Sequence, residues 1–187
     1  MLKSEARKIF NSKRSAISPQ QKMKWEDLIL IQFQRLMLPH LETVFVYAAT
    51  KDEVETDTIV DYLHFQNPAL GISYPVVDFA TQTMNAVLTN TDTEFVKNQY
   101  GIAEPDSQEL VRPDTIDLIL VPLLCFDKDG FRVGYGKGFY DKYLVQTRSD
   151  AIKVGLCYYE PIDKIDDRNN FDVPLNYCIT PERLYEF

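Results

Sequence analysis

Histidine is nearly missing from this chain: His40 and His64 are the only two, and neither is near the one glycine cluster. There is also no G-x-S-x-G elbow, so a Ser–His triad and a histidine-built zinc centre are set aside. Cysteine is scarce as well. Cys125, Cys157 and Cys178 are odd in number, widely spaced and free of any C-x-x-C, which excludes a disulfide framework and points to buried, reduced thiols. No apolar run approaches the length of a transmembrane helix, and the N-terminus lacks the hydrophobic core of a secretion signal, so a cytoplasmic protein is expected. Basic charge is in deficit, with a net charge of −8, which argues against a nucleic-acid binder. What basic charge there is concentrates at one end: residues 1–24 hold seven of the 20 Lys and Arg but one of the 28 acids, Glu5.

Glycine is also rare, and its distribution is informative. Four of the seven glycines fall between Gly130 and Gly138. They lie in residues 116–141, IDLILVPLLCFDKDGFRVGYGKGFYD. This stretch opens with an apolar, β-branched run that reads as a strand buried on both faces and ended by Pro122. Asp127-Lys128-Asp129-Gly130 reads as a turn. Gly134, Gly136 and Gly138 alternate with other residues ahead of an amphipathic helix start at Phe139. A cluster of glycines implies that side chains would block something. Converging amides before a helix N-terminus form a cradle for phosphate or carboxylate, with Arg132 and Lys137 adding charge. Asp141, one turn into the helix, is placed to hold a magnesium ion beside bound phosphates. The loop is neither a Walker A motif, since Gly138 follows Lys137, nor G-x-G-x-x-G, since the third glycine comes early. On the residues alone, a phosphate site is favoured over a glycine-rich hairpin with solvated cations.

Elsewhere the chain alternates helical and strand patterns. Residues 2–14 follow a helical period, with Lys3 and Arg7 on one side; by themselves they read as a solvated basic face. Ser18-Pro19-Gln20-Gln21 starts a second helix, expected to run past Leu36 and stop before Pro39, with Trp25, Leu36 and Met37 in the core. Strands are expected at residues 43–48, 71–77, 84–88, 153–158 and 176–179, with a helix over 57–66 capped by Thr56. The loop at 50–56 places several acids past a strand end, where open parallel sheets bind ligands, although most such acids are simply solvated. Residues 95–112 read poorly, and Glu104 is either a turn acid or a site residue. Residues 161–174 read as a surface loop. The 187 residues are read as a single α/β domain with a mostly parallel sheet flanked by helices, expected to be a monomer.

The pattern F-D-x-x-G-x-R-x-G-Y-G-x-G-x-Y-D, Phe126 to Asp141, resembles the signature of the 5-formyltetrahydrofolate cyclo-ligase family. The resemblance implies a doubly wound fold and ATP- and magnesium-dependent cyclisation of 5-formyltetrahydrofolate to 5,10-methenyltetrahydrofolate. It extends to a Lys-x-x-x-Arg near the N-terminus, a G-I-x-E-P element around Glu104 and an E-V-x-T pattern at Glu53. It implies that Lys3, Arg7 and Arg132 bind ATP together with the loop from Gly134 through Tyr135, Gly136, Lys137, Gly138 and Phe139 to Tyr140. Lys137 and Arg132 would neutralise charge in the reaction. Ala48 and Glu53 would face the reduced folate across from Tyr135 and Phe139, with Gly136, Lys137 and Gly138 also touching it. Asp141 would bind Mg2+ with a second residue near the C-terminus; aligning 171–176 puts Asn176 there, with Asp172 as the alternative. Phe139 stands where the family often has Tyr. Two other readings stay open: another ATP- or phosphate-ligand α/β enzyme, and a non-catalytic nucleotide or folate binder.

Overall fold

An apolar strand with no exposed face needs a layer on each side, and the fold supplies both. In the computed structural model, which describes residues 1–99 and 101–187, two helices come first, α1 (Lys3–Ser15) and α2 (Pro19–Phe33). Then follow β1 (Thr43–Phe45), α3 (Asp57–Gln66), β2 (Gly71–Asp78), β3 (Thr83–Thr89) and the short β4 (Phe95–Lys97), β5 (Ala103–Pro105) and β6 (Leu110–Val111). The expected buried strand is β7 (Leu118–Val121), all four residues buried. A hairpin of β8 (Cys125–Phe126) and β9 (Arg132–Val133), α4 (Phe139–Leu144), β10 (Ile152–Leu156), β11 (Tyr177–Ile179) and β12 (Leu184–Glu186) complete the chain.

The main sheet has eight strands in the order β12-β11-β10-β7-β1-β2-β3-β6. The five from β11 to β2 are mutually parallel, and β12, β3 and β6 add antiparallel edges. Strand alternation sends Val44, Leu118, Leu120 and Val154 to one face, against Ile29 and Phe33 of α2 and Ile59 and Leu63 of α3. Phe45, Ile119 and Val121 go to the other, against Tyr143 and Leu144 of α4. Helix α3 leads from β1 to β2 over the first face, and α4 leads from β9 towards β10 over the second. The order therefore reverses at the β7–β1 pair, and the loops after these two strands diverge to leave a crevice. Helix α1 lies off the sheet: Ala6 and Phe10 pack on Leu124, Cys125 and Val133 of the β8–β9 hairpin.

Local chemistry explains most boundaries. The Ser18 hydroxyl accepts from Gln21 N at 3.2 Å, and Pro19 occupies the first turn of α2. That helix ends at Phe33, earlier than the pattern predicts, which leaves Met37 fully exposed instead of in the core. Thr56 precedes α3 but does not cap it; its hydroxyl donates to Tyr47 O at 3.2 Å. Residues 161–175 have no regular helix but a fully buried anchor: Asp127, with no exposure, accepts from Ile165 N at 3.0 Å and from Arg168 Nε at 2.8 Å. This segment is therefore the expected surface loop, tethered as a strap. Cys125, Cys157 and Cys178 are all buried free thiols, and burial pushes the Cys125 thiol up to about 12. Among the described residues no helix is long and apolar enough to cross a membrane.

Tight packing on the α4 side gives a direct test. A Cβ added at Gly155 in β10 would meet Leu175 Cδ1 at 2.7 Å and Leu123 Cδ2 at 3.1 Å. Gly155→Ala is expected to lower unfolding stability by about 1–3 kcal/mol through overpacking. Urea denaturation should show a lower midpoint with an unchanged slope.

Candidate functional site

The crevice opens into a cavity of about 410 Å3 between the loop after β1 and the glycine loop after β9. On the first side, Glu53 is 4% exposed, and its Oε2 accepts from Thr50 N and Thr50 Oγ1, each at 2.8 Å. The Tyr47 hydroxyl donates to Val54 O at 2.8 Å and holds this loop against the end of β1. On the second side, Gly136 and Gly138 have φ of +92° and +75°, in the left-handed region that side chains rarely adopt. A Cβ on Gly136 would also sit 3.1 Å from Arg7 Cζ, so the loop folds closely around that guanidinium. Among the described residues, none accepts a hydrogen bond from the amides of residues 134–138. These donors are therefore available to a ligand at the mouth of the cavity.

Four cations and three carboxylates line the cavity. Arg7 Nε donates to Gly134 O at 2.8 Å, which fastens α1 to the loop. Lys3 Nζ pairs with Asp172 Oδ2 at 2.5 Å, and this carboxylate also takes Asn169 N at 2.8 Å. Arg132, its side chain 5% exposed, donates to Asp141 Oδ1 at 2.7 Å and to Val173 O at 2.6 Å. Burial pulls the Arg132 guanidinium down, against the charges of Asp141 and Asp172. Lys137 is exposed beside these pairs. The remaining wall is apolar: Pro75, Val77 and Met84 from the β2–β3 pair, Ile102, and Phe79 edge-on to Phe139 at 5.6 Å. Tyr140 is partly buried, stacked on Phe45, and desolvation of its phenol with the charge of Glu53 raises that group far above the ordinary value.

The residues expected from the sequence converge on this one cavity. Lys3, Arg7, Ala48, Glu53, Arg132, Asp141 and the whole loop from Gly134 to Tyr140 line it. Asn176 does not. It lies just before β11, where its Oδ1 accepts from Lys153 N at 2.9 Å, at the start of the strands and away from the crevice. The C-terminal acid in the cavity is Asp172, carried by the strap. Glu104 is structural: its Oε1 accepts from Val77 N at 3.0 Å. His40 and His64 are absent from the lining, and His64 Nε2 pairs with Leu70 O at 3.3 Å. Sequence reasoning missed the apolar wall, for want of any polar signature. It also missed Arg14, which lies seven residues beyond Arg7 and thus on the same face of α1.

An anion with an attached ring system suits this arrangement: free amides and cations at one end, a buried carboxylate and aromatic walls at the other. A divalent cation also fits. Magnesium is commonly held by one or two carboxylates plus ligand phosphates, and Asp141 and Asp172 both face the cavity beside the loop.

The model of the 5-formyltetrahydrofolate cyclo-ligase family matches residues 1–181. A 5-formyltetrahydrofolate cyclo-ligase of Mycoplasma pneumoniae is 28% identical over 185 residues, 97% of this chain and 100% of the relative. One from Haemophilus influenzae is 30% identical over 139 residues, covering 72% of this chain and 73% of its own. Among solved structures, the 5,10-methenyltetrahydrofolate synthetase of Aquifex aeolicus superposes with a TM-score of 0.82 at 26% identity, covering 100% of this chain and 93% of that one.

The loop geometry separates two glycines. Gly136→Ala imposes a strained φ and crowds Arg7, whereas a Cβ at Gly134 meets open space and no positive φ. Backbone strain of this kind is worth about 1–3 kcal/mol. Urea denaturation should show Gly136→Ala destabilised by about that much and Gly134→Ala by less.

Proposed function

The chain belongs to the 5-formyltetrahydrofolate cyclo-ligase family, and from that premise we propose that it closes 5-formyltetrahydrofolate to 5,10-methenyltetrahydrofolate with conversion of ATP to ADP and phosphate. The observation that carries this reading is the pairing, within one cavity, of an unpartnered amide loop ringed by cations with a buried carboxylate and an aromatic wall.

The chemistry follows from what each end offers. A formyl oxygen is a poor leaving group. Its attack on the γ-phosphorus expels ADP and leaves the formyl oxygen phosphorylated, so that the formyl carbon now bears a phosphate leaving group. The N10 lone pair then attacks that carbon, the C–O bond breaks with loss of phosphate, and the N10 proton goes to solvent. In this reading the amides of Gly134, Gly136 and Gly138 hold the transferring phosphoryl group, a task that is mostly positioning and charge neutralisation. Lys3 and Arg7 grip ATP from α1. Lys137, exposed on the loop, neutralises the charge that develops on the phosphoryl oxygens. Arg132 shares that task from below while fixing the Asp141 carboxylate. Glu53 and Ala48 face the folate, with Tyr135 and Phe139 along its rings. Magnesium would be held by Asp141 and Asp172, with Asn176 playing no part, and would supply charge neutralisation to the ATP phosphates.

Purified protein with ATP, Mg2+ and 5-formyltetrahydrofolate is expected to accumulate 5,10-methenyltetrahydrofolate, read by its absorbance, with matching ADP release. Lys137→Ala should lower kcat by about 10²–10³, as for other lost transition-state donors. Equal turnover in that variant would refute the role given to the loop, and folate binding without ADP release would refute the enzymatic reading. Asp172→Asn should raise the Mg2+ concentration needed for half-maximal rate, whereas Asn176→Ala should lower stability and leave that concentration unchanged.

A further inference from the structure

Arg14 has no part in the reaction as described, and its placement is costly. It lies in the last turn of α1, 4% exposed, with its guanidinium turned inward. Nη1 donates to the Tyr135 hydroxyl at 2.9 Å and Nη2 to Leu123 O at 2.6 Å, while the buried Nε has no hydrogen-bond partner. Among the described residues it has no ion-pair partner, and the carboxylate that acts on it, through space, is Glu53. A buried guanidinium with only neutral acceptors is a poor stability device, because an apolar side chain would fill the space at less cost. What Arg14 holds in place is Tyr135, which stands between Gly134 and Gly136 of the loop.

We propose that Arg14 is a positioning residue for the phosphoryl-transfer loop: it fixes the Tyr135 hydroxyl as an acceptor, so that the phenol hydrogen is directed to Glu53 and the loop is moored across the cavity. The inference rests on the proposed reaction for the identity of the ligands, though the mooring itself is a property of the free protein. Tyr135 is half exposed and its backbone lies in a segment whose amides are unpartnered, so its hydroxyl adds a second tie to α1 beside the Arg7 bond to Gly134 O. Burial, reinforced by Glu53, raises its phenol to about 12, so at neutral pH it keeps its hydrogen and serves as a donor. With Arg14 supplying hydrogens from one side, the acceptor on the other side is the Glu53 carboxylate, to which the Thr50 hydroxyl also donates. Arg14 thus connects α1, which carries Lys3 and Arg7 to the cavity, with both of the loops that form its walls.

The test uses Arg14→Gln, Arg14→Lys, Tyr135→Phe and the double variant Arg14→Gln/Tyr135→Phe. Three quantities are read: NMR order parameters of the backbone amides of residues 134–138 in the ligand-free protein, KM and kcat for 5-formyltetrahydrofolate, and the thermal midpoint. Both Arg14→Gln and Tyr135→Phe should lower order in the loop and raise KM about tenfold, the scale of a modest misplacement. The double variant should be no worse than the worse single one, since both remove the same mooring. Arg14→Lys should recover part of the loss, because an ammonium reaches one of the two acceptors. Additive losses, or a lower thermal midpoint with unchanged loop order, would overturn the proposal. Should Arg14→Gln fail to fold, Tyr135→Phe decides alone, and wild-type loop order and KM in that variant would overturn it. If the wild-type protein does not turn over the folate, the reaction assigned above fails while the order comparison still judges the mooring.

Discussion

One carboxylate with no solvent exposure holds the periphery of this protein together. Asp127 accepts from Asp129 N and Phe131 N, each at 3.1 Å, and so closes the β8–β9 turn. The same carboxylate reaches across to Ile165 N and Arg168 and pins the strap. The strap presents Asp172 to Lys3, and the hairpin is the surface on which α1 packs. Helix α1, the hairpin and the strap all lie off the central sheet, so the sheet cannot position them. Removing one partner of a buried ion pair costs about 3–5 kcal/mol, and here the loss would fall on three segments of the cavity wall at once.

The electrostatics of the cavity have a related logic. Lys3 and Arg132 are already paired, with Asp172 and Asp141, before any ligand enters. This pairing keeps buried charges tolerable in the free protein, since an isolated one would be expelled or neutralised. On the proposed reading, ATP phosphates give both cations a new partner and leave both carboxylates facing a metal ion. Anion and cation then bind as a linked set, each relieving the charge the other exposes. Lys137 differs in standing exposed on the loop, which leaves its charge available for the transferring group.

Much of this was readable in the sequence because its signals are local. A fully apolar run of five residues ending in proline has few alternatives to a buried strand, and it became β7. Glycines that alternate through a loop mark positive φ or close approach, and Gly136 shows both. The failures are non-local. Asn176 was aligned to a metal position by spacing along a strap with no periodicity, and nothing in such a segment fixes which residue points inward. The structure shows that Asn176 had already entered the neighbourhood of β11, where its amide side chain serves the backbone of Lys153. Met37 failed for a similar reason: its helix stopped early, so the helical phase no longer applied to it. Thr56 carried a cap signature, but a buried carbonyl, Tyr47 O, takes its hydroxyl instead.

The antiparallel edge of the sheet is the feature that neither glycines nor charges foretold, and it has a physical use. A wholly parallel doubly wound sheet binds its ligand above the strand ends, between loops. Here β2 runs on to Asp78 and folds back as β3, and this long hairpin carries Pro75, Val77 and Met84 beside the crevice. Glu104, by accepting from Val77 N, ties the β4–β5 ribbon to β2. A loop could supply polar groups there, but a flat apolar wall requires a rigid surface whose backbone hydrogen bonds are already made. A paired ribbon meets that requirement, so the half of the cavity that needs shape is built from strands and the half that needs free amides is built from glycine.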